Sequence, residues 1–152
     1  MANNIFDHVA ELCRVGARAS LDSLMAMGAR PTDPGEEIRW RMTARRLRNN
    51  VDSLTNMASD LTAAAILLDL SDFEDELATI EAATKRAEKK IEEIEVISAR
   101  LSKFGRILDL GLAVLAIPAA AANPSALASA VGGAVDAAKA LRKSDEDESA
   151  NA

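Results

Sequence analysis

Aromatic and reactive side chains are scarce in this sequence. Of its 152 residues only 3% are aromatic, with one Trp, no Tyr, a single His (His8) and a single Cys (Cys13). General acid–base and nucleophilic catalysis draw heavily on these residue types. We therefore expect no catalytic residue, no cofactor and no small-molecule substrate, and we predict that the chain is not an enzyme.

The few residues that could carry chemistry are poorly placed for it. His8 and Cys13 are five positions apart, and side chains meet on a helix at three or four positions. Cys13 is therefore predicted to be a small core residue. Glu88, Glu92 and Glu95 share a helix face, but the di-iron pattern needs a Glu-x-x-His, and no His is available there. We expect no metal site.

Positive charge and disulfide capacity are also low. The 18 basic residues are outnumbered by 24 acidic ones, for a net charge of -6, whereas a nucleic-acid binder needs a positive surface. We therefore expect no nucleic-acid partner. A single Cys cannot form an internal disulfide, and Asp7 and Glu11 stand where a secretory signal would be basic and then apolar. We expect a cytoplasmic protein. Membrane association, or export without a cleaved signal, stays open.

Helix breakers are rare, which favours an all-α fold. The chain has 7 Gly and 4 Pro, and none lies between Gly35 and Gly105. Apolar residues recur there every three or four positions, which is the helical period. Asp33 can cap a helix whose first residue is Pro34, with Glu36 placed for a capping box. A long helix is predicted to begin at Pro34.

Two apolar seams with the alternating spacing of a coiled coil follow. The first runs from Trp40 to Leu68 and the second from Phe73 to Leu115, with a turn near Leu70 and Ser71. Folded back on each other, the seams keep one register throughout, so that Leu54 meets Ala87 and Trp40 meets Leu101. We predict a long antiparallel helical hairpin.

Two further helices complete the predicted fold. One begins near Ile5 and ends near Gly28, and the other begins at Asn123 and Pro124 and ends near Arg142. The fold class is therefore all-α, a four-helix antiparallel bundle built on the coiled-coil-like hairpin. Residues 1–143 form the bundle, and the acidic residues 144–152 are predicted to be a disordered tail.

One segment, from Leu110 to Val135, has no charged residue. It is long enough to cross a bilayer, but Pro118, Asn123 and Pro124 divide it into an Ala-rich, apolar helix-loop-helix. It could cap a soluble bundle, contact a membrane or be buried in an oligomer interface. The residues predicted for membrane or interface contact are Leu110, Leu112, Val114, Leu115, Ile117, Leu127, Val131 and Val135.

The arginines near Trp40 form the other distinctive cluster. Arg41, Arg45, Arg46 and Arg48 could contact an anion or an acidic partner, since guanidinium groups bind carboxylates and phosphates well. The alternative is that the cluster forms salt bridges across the hairpin, where the predicted register places it beside Glu92, Glu93 and Glu95, with Trp40 in the core. We favour the salt bridges.

The sequence therefore predicts a non-enzymatic helical module for protein–protein interaction or self-assembly. Its partner would be a second copy or another helical protein, because the long helices leave part of their seams uncovered. The alternative is a membrane-active protein, pore-forming or associated with a lipid surface, that uses the uncharged hairpin 110–135.

Overall fold

The computed structural model describes residues 4–65 and 70–151. It contains five α-helices: α1 (Asn4–Ala26), α2 (Pro34–Ala64), α3 (Glu74–Glu93), α4 (Ile97–Ala119) and α5 (Pro124–Asn151). A short 3-10 turn, Ser71–Phe73, precedes α3. The predicted all-α class is confirmed for the described residues, whereas the predicted number of four helices is wrong.

Two helix starts follow the predicted local signals. The Asp33 carboxylate accepts a hydrogen bond from the Glu36 backbone N–H at 3.1 Å, and α2 begins at Pro34. The Asn123 side chain accepts hydrogen bonds from the backbone N–H groups of residues 125 and 126, and α5 begins at Pro124. Both caps satisfy N–H groups that have no partner inside the helix.

The predicted helix from Phe73 to Leu115 is broken between α3 and α4. Residues 94–96 are not helical, and Ile94 and Val96 have extended backbones. Glutamates crowd the C-terminal end of α3, where the helix dipole disfavours negative charge, and β-branched residues follow, which lowers helix propensity. The Arg100 guanidinium secures the break by donating to the Ile94 carbonyl and to the Ser23 hydroxyl.

The helices form a bundle in which α1 occupies a central place. α1 packs against α2, α3 and α4, while α4 also packs against α2 and α5, and α5 packs against α3. The Ser20 hydroxyl donates to the Leu47 carbonyl at 2.8 Å, and Arg14 donates to the Thr62 hydroxyl at 2.9 Å. Since residue numbers rise along α1 as they fall along α2, these two helices are antiparallel.

Other neighbouring helices are parallel. His8 lies 3.4 Å from Glu81 near the start of α1, and Asp22 and Glu92 line one groove near its end, so α3 runs parallel to α1. α4 runs parallel to α2, because a Cβ on Gly16 would contact both Leu54 and Ile107, and one on Gly111 would contact Met57. The bundle is therefore not antiparallel throughout.

The predicted antiparallel pairing of α2 with the second seam is wrong along the described residues: the α3 part of the seam packs on α1 and α5, and the α4 part contacts α2 but runs parallel to it. α2 packs on α1 and α4, and α1 lies between α2 and α3. Contacts such as Leu54 with Ala87 are therefore replaced by contacts with α1 and α4. Leu68, the last residue of the first predicted seam, lies outside the described residues. A heptad pattern specifies an apolar seam but not which helix covers it, which is the reason for the error.

The core also differs from the second predicted seam after the break. Gly105 and Leu112, which the seam includes, are exposed, whereas Phe104, Ile107 and Leu110 are fully buried. The three non-helical residues before α4 change the rotational phase of the helix, so a different stripe faces inward. At the C-terminus, α5 continues beyond the predicted end near Arg142 and past the predicted domain boundary at residue 143.

Candidate interaction surface

The first half of α2 presents a dense group of arginines to solvent. Five are exposed: Arg39, Arg41, Arg45, Arg46 and Arg48. Arg41 lies 3.8 Å from Glu37, which also binds Arg30. Among residues 4–65 and 70–151, the other four arginines form no ion pair. The N-terminal half of α2 therefore carries uncompensated positive charge in a chain whose net charge is -6.

Exposed apolar side chains accompany these arginines. Leu21 and Met25 on α1 are 44% and 75% exposed, and Ile38 and Met42 on α2 are 47% and 58% exposed. The Ser20–Leu47 hydrogen bond sets the end of α1 beside the first half of α2. Large apolar side chains gathered in one place on a surface indicate a binding site more often than scattered ones do.

Helical spacing places several of these side chains on one surface. Leu21 and Met25 are four positions apart on α1, and Arg41, Arg45 and Arg48 are four and three positions apart on α2, so each set lies on one face of its helix. We define the basic–apolar face as Leu21, Met25, Ile38, Arg41, Arg45 and Arg48. It combines the unpaired guanidinium groups of Arg45 and Arg48, and that of Arg41 beside Glu37, with exposed apolar area.

Trp40 occupies a boundary position next to this face. The side chain is half-buried, and its indole Nε1 is enclosed without an acceptor in the part of the chain that the structure describes. The prediction that Trp40 belongs to the core is therefore only partly met. The half-buried ring contributes apolar area to the edge of the bundle.

The favoured salt bridges between the arginine cluster and Glu92, Glu93 and Glu95 do not form among the described residues. All three glutamates are exposed, and Glu93 pairs instead with Lys90 at 3.5 Å on its own helix. The physical reason is that α1 separates α2 from α3. The arginine cluster and the three glutamates, which the predicted register pairs, therefore both face solvent.

Negative charge accumulates on the side of α1 opposite to α2. Burial raises the pKa of Glu88, and the neighbouring carboxylates Glu11 and Glu92 raise it further, whereas His8 and Lys85 lower it. Glu11, Glu88 and Glu92 therefore lie close enough together to disfavour one another's negative charge. Nearby, a groove of about 270 Å³ is lined by Val15, Arg18, Ala19, Asp22, Glu92 and Arg100.

The residues of the uncharged segment divide between core and surface. Leu110, Val114, Ile117 and Val131 are fully buried or nearly so. Leu115, Leu127 and Val135 are half-buried, and Leu112 is 61% exposed. α4 and α5 pack on each other, so this helix-loop-helix contributes its inner residues to the bundle core. Four of its eight predicted contact residues are inaccessible in this arrangement.

The residues considered for chemistry remain apart. Cys13 is fully buried, as predicted, and burial raises the pKa of its thiol to about 12. A thiolate is the reactive form of cysteine, so this one is chemically quiet. His8 is half-buried and faces Glu81. Across residues 4–65 and 70–151, no group of three or more His, Cys, Asp or Glu side chains is arranged to hold a metal ion.

A buried ion pair was not predicted from the sequence. Lys103 and Asp145 are both fully buried and bind each other, Lys103 also donates to the Ser144 hydroxyl at 2.8 Å, and Arg86 approaches Asp145 at 4.0 Å. The run of acidic residues around Asp145 resembles a solvated tail, which hides its role. A lysine among the apolar residues of α4 was the available signal, since buried lysine requires a partner.

No helix in the described part of the chain is long and apolar enough to span a membrane. Comparison with protein-family models, with curated proteins and with solved structures finds no match to this chain.

Proposed function

We propose that this chain is a non-enzymatic helical module for protein–protein interaction or self-assembly, and that the basic–apolar face is its contact surface. The observation that carries the proposal is the coincidence of exposed Leu21 and Met25 with unpaired Arg45 and Arg48 on two helices that are fixed to each other. Arginine is enriched in interfaces and binds carboxylates through paired hydrogen bonds. The complementary partner is a helical protein surface that carries acidic and apolar side chains.

An affinity experiment tests this proposal. The full chain is immobilised in three forms and exposed to a cell extract and to purified soluble chain. The forms are the unchanged chain, the variant Arg45→Glu/Arg48→Glu, and the control Lys139→Glu/Arg142→Glu. The control changes two exposed cations on α5 with the same spacing and the same change in charge.

We expect the unchanged chain and the control to retain the same partner or partners, and the α2 variant to lose them. Like charges placed opposite each other in an interface cost several kcal/mol. Retention that is equal for all three folded forms contradicts the proposal. Circular dichroism and thermal unfolding establish that each variant is folded.

Lipid association through the uncharged hairpin 110–135 is the alternative proposal. The exposure of Leu112 supports it, while the burial of Leu110, Val114, Ile117 and Val131 weighs against it. Flotation with anionic and neutral liposomes separates the two functions. Flotation that is lost in Leu112→Gln but kept in Arg45→Glu/Arg48→Glu would favour the hairpin over the basic–apolar face.

A further inference from the structure

We infer that the partner of the basic–apolar face is a second copy of this chain, arranged around a two-fold axis that runs along α1. This inference rests on the proposed function and specifies the partner. It follows from two exposed charged groups of opposite sign that one bundle keeps apart.

The first observation is the position of the two groups on either side of α1. Arg45 and Arg48 lie on α2, and Glu92 and Glu95 lie at the end of α3 and in the connection to α4. α1 contacts both α2 and α3, and its residues Arg18, Asp22 and Met25 are exposed between them. At the level of these residues, the surface formed by α2, α1 and α3 is therefore positive on the α2 side and negative at the end of α3.

The second observation is that the groups stand at the same height along α1. The Ser20–Leu47 hydrogen bond sets Arg48 near Leu21, at the C-terminal half of α1. Glu92 lines one groove with Asp22 and Ala19, which are in the same half. The arginines of α2 and the glutamates at the end of α3 therefore lie at the same position along the α1 axis.

A two-fold axis parallel to α1 makes this surface complementary to itself. Such a rotation leaves the position of each residue along the α1 axis unchanged and exchanges the α2 side of the surface with the α3 side. α2 of each copy therefore faces α3 of the other. Arg45 and Arg48 of one copy then lie opposite Glu92 and Glu95 of the second copy, and the same pairs form twice, as two-fold interfaces require. An axis perpendicular to α1 would instead bring arginine onto arginine.

Apolar contact accompanies the charges in this arrangement. Met25 and Leu21 are exposed at the centre of the surface, and Val96, next to Glu95, is 62% exposed at its acidic edge. An apolar centre with charged residues around it is the usual anatomy of an interface. The charges select the orientation, and the apolar side chains add buried area.

A charge-exchange experiment tests the inference by sedimentation velocity. The unchanged chain should sediment as a dimer at about 0.1 M salt and dissociate toward about 1 M salt, as the Debye length falls from ~10 Å to ~3 Å. Arg45→Glu/Arg48→Glu and Glu92→Lys/Glu95→Lys should each associate at least about tenfold more weakly. Lys139→Glu/Arg142→Glu should match the unchanged chain.

Mixing the two variants gives the decisive result. In the mixture, Arg faces Glu on one side and Glu faces Lys on the other, so a 1:1 heterodimer should form at concentrations at which each variant alone stays largely monomeric. Glu92 lies near Arg18 and Arg100, so if Glu92→Lys/Glu95→Lys is not folded, Glu95→Lys is mixed with Arg45→Glu instead.

Two results would overturn the inference. One is an unchanged chain that stays monomeric at every concentration and at low salt. The other is a mixture of folded variants that shows no heterodimer. In either case, partner retention in the affinity experiment that is sensitive to Arg45→Glu/Arg48→Glu still supports the proposed interaction surface, so the two proposals fail independently.

Discussion

Gly111 marks the closest approach of α4 to α2, and replacing it with Ala tests this packing. A Cβ at this position would lie 2.7 Å from Met57 Cγ and 2.9 Å from Met57 Sδ, whereas carbon atoms in good contact are about 3.5–4.0 Å apart. Met57 is buried and Cγ is close to its backbone, so the side chain cannot move away freely. Overpacking of this kind costs about 1–3 kcal/mol.

Gly105 supplies a matched control on the same helix. A Cβ there would meet no atom within 4 Å, so Gly105→Ala should raise the free energy of unfolding by the gain in helix propensity, about 0.8–1.0 kcal/mol. Gly111→Ala gains the same helix propensity, but its Cβ overlaps with the Met57 side chain. The difference between the two variants therefore isolates the overpacking, and we expect Gly111→Ala to be less stable than Gly105→Ala by about 1–3 kcal/mol.

Urea denaturation followed by circular dichroism measures both values. A double-mutant cycle with Met57→Ala adds a second test, since the truncation should cost less in the Gly111→Ala background than in the unchanged chain. If Gly105→Ala and Gly111→Ala stabilise the protein equally, α2 and α4 are not in contact at Met57. That result would refute the arrangement of the bundle, because the antiparallel hairpin predicted from the seams places Met57 away from Gly111.

Further predictions concern three buried or half-buried groups. Glu88→Gln should raise the melting temperature at neutral pH, because a carboxyl whose pKa is raised in the folded state destabilises that state above its folded pKa. The gain should vanish below the ordinary glutamate pKa of 4.5, where both states are protonated; an equal gain at all pH values would show that charge is not the cause. Native Cys13 should react with a thiol reagent far more slowly than in urea, because its thiolate is disfavoured and the side chain is buried; fast labelling of the native chain would show that this part of α1 opens. Asp145→Ala should lower the free energy of unfolding by about 3 kcal/mol or more, since it leaves Lys103 buried without its carboxylate; a change within about 0.5 kcal/mol, as for ordinary surface positions, would mean that α5 does not cover Lys103.

Features decided by a few adjacent residues could be predicted from the sequence. The starts of α2 and α5 depend on Asp33 with Pro34 and on Asn123 with Pro124, and local hydrogen bonds determine both. The burial of Cys13 follows from its place on the apolar stripe of α1. These outcomes need no knowledge of which helices are neighbours.

Features that depend on the choice of neighbours could not be predicted. The seam on α2 fits a second seam numerically, yet α1 and α4 cover it in the bundle. The break before Ile97 contains neither Gly nor Pro. It is stabilised by Arg100, which donates a hydrogen bond to Ser23 on α1, a helix far away in the sequence. Apolar residues spaced three and four positions apart reveal the apolar face of a helix. Which helix packs on that face depends on the apolar faces of all the other helices in the bundle.

The candidate surface shows the same division. The arginine cluster at residues 41–48 is visible in the sequence, and its charge complement at Glu92 and Glu95 is visible too. Their exposure is not, because it results from the position of α1 between α2 and α3. The role proposed for Met25 also depends on the position of α1, since a single exposed apolar residue does not indicate a binding site unless other exposed apolar residues lie beside it.

Covalent footprinting of methionines tests the central claim, that the basic–apolar face is a contact surface, most directly. The chain is labelled when dilute and when concentrated at low salt, and the modification of each methionine is measured by mass spectrometry. Met25, at 75% exposure, should become protected on association, and Met42, at 58% exposure next to the face, should be protected less. Arg45→Glu/Arg48→Glu should abolish the protection. Labelling of Met25 that is independent of concentration, in a chain that does associate, would contradict the claim.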